Sequence, residues 1–212
     1  MRIFGRVIFL MLVYETSRCA RRMGDRLESE FNNLITATGA LQSGHFELAS
    51  GLHASRFFRC IKLLENPRQA EFLFDALANH ISSPVDRVLG ANEAGSILAF
   101  EVAKRLGVTV AIARQKNHRY HLIDGFTIAP EQKVLIVDDI TTTGGTAKQL
   151  IAIVREAGAD PVGVSLLATK GLFKVDLGVP THVLMPLEGM DAVAPNECPL
   201  CQQGVPLTRG SM

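Results

Sequence analysis

Two adjacent carboxylates, Asp138 and Asp139, close the apolar run Val134–Val137 and are followed at once by ITTTGGT. That order of residue types can do specific chemistry. Gly144 and Gly145 let the backbone curl so that successive N–H groups face one anion. A helix starting there adds unpaired N–H groups and the positive end of its dipole. The hydroxyls of Thr141, Thr142, Thr143 and Thr146 are further donors, so residues 141–146 read as a phosphate cradle. Two neighbouring acids repel, which makes sense where they grip hydroxyls or a hydrated cation. A sugar phosphate with a vicinal diol satisfies both parts. The segment is neither a GxxxxGK[ST] loop nor GxGxxG. A plain polar turn with a threonine cap would not need the acid pair.

A second chemical cluster is basic. Arg114, Lys116, Arg119 and His121 fall within eight residues of a chain whose formal net charge is only +1. That balance gives no broad electrostatic footprint for nucleic acid or for a membrane surface, so the cluster calls for a local partner. Cys198 and Cys201 form a CPLC pair, half of a zinc site by spacing. No second pair with ligand spacing is legible, so the pair reads as structural or incidental. Four cysteines in 212 residues do not make a disulfide framework, and the expected compartment is reducing cytoplasm.

These residues need elements to position them. Apolar spacing predicts helices over 25–40, 68–81, 95–106 and 146–157, with Asn66-Pro67 as cap and first-turn proline of the second. Residues 44–63 alternate like a hairpin or short strands. Buried strands are expected at Val88-Leu89, Val108–Ala113, Val134–Val137, Val162–Ala168 and His182–Leu187. The alternation argues for an α/β fold, a mainly parallel sheet flanked by helices, with ligands at the carboxyl ends of the strands. Residues 7–14 are continuously apolar but far short of the ~20 needed to span a bilayer. Residues 1–23 are therefore read as an extension or a mis-assigned start, and 24–212 as one domain.

VLIVDDITTTGGT resembles the phosphoribosyl-diphosphate signature of the type I phosphoribosyltransferases, and residues 28–212 resemble the orotate enzymes among them. The resemblance implies the type I fold: a small N-terminal hood (about 24–65), a core (about 66–190) and a tail (191–212). It implies that Asp138 and Asp139 hold the ribose hydroxyls and, indirectly, Mg²⁺, and that Thr141–Thr146 hold the 5′-phosphate. Ala91, Asn92 and Glu93, in GANEAGS, would receive pyrophosphate. ARQKNHRYHLIDGF would be the mobile catalytic loop, with Lys116, Arg119 and His121 catalytic and Arg114 beside them, shared across a homodimer. Phe57, Phe58 and His53, in GHFELASGLHASRFF, would line the base site, with one phenylalanine in the core. Lys170 stands where the family grips orotate with arginine. Gln115, Leu172, Phe173, Ile123 and Asp124 also depart from the pattern, which leaves two alternatives: a paralogue with another acceptor, or a non-catalytic regulator that binds the donor.

Overall fold

The computed structural model describes residues 24–48, 50–81, 83–171 and 173–209. The expected extension at 1–23 and the departure at Leu172 lie outside them. Helix α1 covers 24–38 and ends at Gly39, whose φ of 62° is the left-handed turn that stops a helix; this is why it falls short of residue 40. Strands β1 (Leu41–Glu47) and β2 (His53–Phe58) form the N-terminal hairpin. The short α2 (Cys60–Leu63) leads to α3 (Pro67–Asn79), whose cap Asn66 accepts from the N–H groups of Arg68 and Gln69.

The core alternates as expected: β3 (Arg87–Ala91), α4 (Asn92–Leu106), β4 (Thr109–Lys116), β5 (Arg119–Leu122), β6 (Lys133–Thr141), α5 (Gly145–Glu156), β7 (Asp160–Lys170) and β8 (Thr181–Leu187). Its six strands run in the order β5-β4-β3-β6-β7-β8, parallel except for β5. Successive residues of a buried strand face opposite layers. Val88, Leu135, Val137 and Leu167 accordingly pack with α3 and α4 residues such as Leu77, Leu98 and Val102. Leu89, Ile136 and Leu166 pack on the other face with Leu150, Ile151 and Val154 of α5. Each such aliphatic side chain contributes about 1.5–3 kcal/mol on burial. Arg105 ties α4 to α3 through Asp75 at 2.5 Å and is held on its own helix by Glu101 at 2.6 Å.

The tail does not stay apart. Strands β9 (Ala192–Val193) and β10 (Thr208–Arg209) add to the two edges of the β1–β2 hairpin, giving a second sheet ordered β10-β1-β2-β9. Between them lie a 3₁₀ turn (Pro195–Glu197) and α6 (Pro199–Gln202). The hood is thus built from both ends of the described chain.

Candidate active site

Strand β6 runs straight into the acid pair: Asp138 is buried and Asp139 half-buried. Burial is the largest cause pushing the Asp138 carboxyl well above the usual carboxylate range, and the neighbouring Asp139 adds to it. Burial likewise raises Asp139, while backbone N–H groups oppose the rise. Cys60, at the start of α2, bonds its thiol to Asp139; burial and then the two acids raise its pKa well above the ordinary thiol value. No spacing in the sequence connects residue 60 with residue 139, so Cys60 was illegible there.

The loop after the acids turns on itself. Thr141 Oγ1 accepts from Gly144 N–H at 2.9 Å, and Gly144 sits at φ 72° as the residue before α5. No side chain among the described residues caps α5, which leaves its first-turn N–H groups directed into the loop. Thr142 and Thr143 are exposed and Thr146 is half-buried. The same construction is repeated next door. Strand β3 lies beside β6, with Gly90 opposite Val137, and leads into α4, whose start is also uncapped by any described side chain. Ala91, Asn92 and Glu93 occupy that start; Glu93 is exposed and so stands clear of the loop interior. Two open helix N-termini therefore flank the acid pair at one edge of the sheet.

Two glycines make that closeness possible. A Cβ on Gly90 would collide with the Gly95 carbonyl and with Ala99 Cβ. A Cβ on Gly95 would lie 2.8 Å from Asp138 Oδ1. The carboxylate rests directly against the backbone of α4.

The basic segment is a β-hairpin rather than an irregular loop. Asn117 and His118, at φ 50° and 62°, make the two-residue turn that joins β4 to β5. Lys116 pairs with Arg119 and Arg114 with His121, so these four exposed side chains project from one face. Gln115 pairs with Tyr120 on the opposite face, away from the cations. The missing arginine at 115 therefore takes nothing from the cationic face. Tyr120 fastens the hairpin: its hydroxyl accepts from Asn92 Nδ2 at 2.8 Å and lies 3.4 Å from Thr146 Oγ1, and its N–H donates to Gln149 Oε1. One phenol joins the starts of α4 and α5, a role that the sequence reading passed over.

On the hood, Phe58 is in the core while Phe57 is half-buried against Phe46, with the Arg59 guanidinium over its ring. His53 departs from its expected place beside the base. It is buried, and its Nδ1 faces His45 and Cys201. The reason is its place at the first position of β2, where the register puts it diagonally across from His45. Lys170 ends β7 at the same sheet edge as Thr141, since Thr141 pairs with Thr169, and burial lowers its ammonium pKa. Phe173 lies 3.3 Å from the position a Gly144 Cβ would take, which puts it against the Thr141–Thr146 loop.

The fold and this paired-loop edge define a type I phosphoribosyltransferase. Orotate phosphoribosyltransferase from Aeropyrum pernix superposes with a TM-score of 0.62 at 23% identity, over 73% of this chain and 92% of that one. Adenine phosphoribosyltransferase from Rhodothermus marinus gives 0.59, also at 23% identity, over 73% and 98%. No protein-family model matches. Among curated relatives, orotate phosphoribosyltransferase of Desulforamulus reducens is 36% identical over 181 residues, 85% of this chain and 94% of the relative. That of Pelotomaculum thermopropionicum is 38% identical over 177 residues, 83% and 93%. The chain belongs to the orotate phosphoribosyltransferase family.

Proposed function

We propose that the protein transfers the 5-phosphoribosyl group from phosphoribosyl diphosphate to orotate, giving orotidine 5′-monophosphate and pyrophosphate in pyrimidine synthesis. The observation that carries this reading is the acid pair set between two uncapped helix starts. In it, the loop at Thr141–Thr146 takes the 5′-phosphate, Asp138 and Asp139 take the ribose hydroxyls, and the loop at Ala91–Glu93 takes the diphosphate. Each anion meets N–H groups already oriented for it, at no reorganisation cost. Loss of diphosphate from the anomeric carbon builds negative charge on oxygen. Arg114, Lys116, Arg119 and His121 offer one cationic face to meet it. Orotate is already an anion and needs no strong general base. In this reading Phe57 covers its ring, and Lys170 offers a single charged contact to its carboxylate, where arginine would offer two.

The oxygen-only acid pair also fits Mg²⁺, held through water and donor oxygens, because two carboxylates whose pKa values are raised by burial, that of Asp138 also by the charge of Asp139, gain from a nearby cation. When bound, the ion would supply charge neutralisation on the diphosphate. The cationic face is exposed in the single chain, which supports a homodimer in which it completes the neighbouring copy's site. A cytoplasmic location agrees with biosynthetic chemistry of this kind, and among the described residues no helix is long and apolar enough to cross a membrane.

The test is a pyrophosphate-release assay with phosphoribosyl diphosphate and Mg²⁺. Orotate-dependent release is expected. Release with a different acceptor alone would reassign the substrate, and donor binding without turnover on any base would make the chain a regulator.

A further inference from the structure

We propose that His45, His53, Cys198 and Cys201 bind a structural zinc ion that fastens the C-terminal tail to the hood. One ligand atom from each lies within 4.8 Å of all the others. His45 Nε2 is 3.1 Å from His53 Nδ1, 3.4 Å from Cys198 Sγ and 3.6 Å from Cys201 Sγ; His53 Nδ1 is 3.2 Å from Cys201 Sγ. Zinc bonds of ~2.0–2.1 Å to nitrogen and ~2.3 Å to sulfur, at tetrahedral angles, put N···N at ~3.4 Å and N···S at ~3.6 Å. The four separations given lie within about 0.4 Å of those values, and the rest stay within 4.8 Å.

The proton inventory argues for a cation over a plain hydrogen-bonded cluster. His45 Nδ1 lies 2.8 Å from the Val205 carbonyl, an acceptor, so Nδ1 carries the proton and Nε2 presents a lone pair. Three neighbours crowd that one lone pair: a second imidazole nitrogen and two sulfurs. A single Zn²⁺ at the centre satisfies all four ligands, and the Val205 bond is the outer contact that orients a metal-binding histidine. Two imidazoles and two thiols with no oxygen select zinc over Mg²⁺. Four protein ligands close the shell, which makes the site structural.

The fold shows what such an ion would hold. Neither Pro195–Glu197 nor α6 has a buried residue of its own apart from the adjoining Cys198, and Val205 and Leu207 are exposed. Little apolar packing seats this tail, yet its two short strands edge both sides of the hairpin. The sequence reading missed the second ligand pair because His45 and His53 are eight positions apart in no standard motif. The β1–β2 register brings them together.

The full chain, purified without added metal and dialysed against a weak chelator, is analysed by plasma mass spectrometry. It should carry a single zinc ion, and the Cys198→Ser/Cys201→Ser double variant should carry none and lose its tail to mild proteolysis. Should that variant fail to fold, cobalt added to zinc-stripped wild type decides: tetrahedral visible bands with thiolate charge transfer support the site. Zinc well below one per chain with no cobalt spectrum, zinc retained by the double variant, or a Cys198–Cys201 disulfide would overturn it.

Discussion

Replacing Gly95 with alanine tests whether Asp138 works from its present position. The new Cβ would stand 2.8 Å from Asp138 Oδ1, about 0.6 Å inside the 3.4 Å of an ordinary contact. Asp138 is only 4% exposed, so its carboxylate cannot swing into water and must shift within the site. Two effects on stability oppose each other. Alanine favours the helix over glycine by about 0.8–1 kcal/mol, while overpacking costs about 1–3 kcal/mol. The net is about 0–2 kcal/mol of destabilisation, a few degrees in thermal midpoint for a chain of this size. Catalysis is more sensitive: a misplacement of ~1 Å costs on the order of 100-fold, so a shift of about half that predicts a fall of roughly 10-fold in kcat/KM. Initial rates of orotate consumption, measured beside a thermal melt, separate the two. In an Asp138→Asn background the same substitution should cost much less, because its target has lost its charge. Wild-type kcat/KM in Gly95→Ala, or full additivity with Asp138→Asn, would refute the reasoning.

Asp138→Asn itself should slow turnover by ~100-fold or more and yet raise the thermal midpoint of the free protein at pH 8 by a few degrees. A carboxyl whose folded pKa is raised loses stability as pH rises through that value, so the gain should shrink toward pH 5; a variant less stable than wild type at pH 8 would contradict this. Tyr120→Phe removes the acceptor of Asn92 Nδ2 and should cost about 1–2 kcal/mol together with a raised KM for the donor, read by melts and initial rates; an unchanged KM would separate the phenol from the site. His182, stacked on His80 at 3.7 Å, has its pKa lowered to about 4, first by burial and then by His80. Its folded pKa lies below the unfolded 6.5, so stability is full above pH 6.5 and falls toward pH 4. The half-buried ring faces some solvent, which reduces the effect to about 1–2 kcal/mol. His182→Asn should flatten that part of the pH–stability curve; a parallel curve would count against the assignment.

The loop at Thr141–Thr146 was legible because its pattern is local: strand, acids, glycines and helix follow one another within fourteen residues. The parallel sheet was legible for a similar reason, since doubly buried strands read as apolar runs. What escaped depends on contacts between distant segments. Cys60 meets Asp139, Tyr120 bridges Asn92 and Thr146, and His53 joins a tail cysteine 148 residues away. The cationic segment looked like a loop because its strand residues are exposed and charged, and only the left-handed Asn117-His118 turn reveals the hairpin.

The most direct measurement is the crystal structure of the protein with phosphoribosyl diphosphate and Mg²⁺. The 5′-phosphate should lie among the N–H groups of Thr141–Thr146, with the ribose hydroxyls on Asp138 and Asp139 and the diphosphate at the start of α4. Density for the donor elsewhere, with the carboxylates facing only protein, would contradict the account.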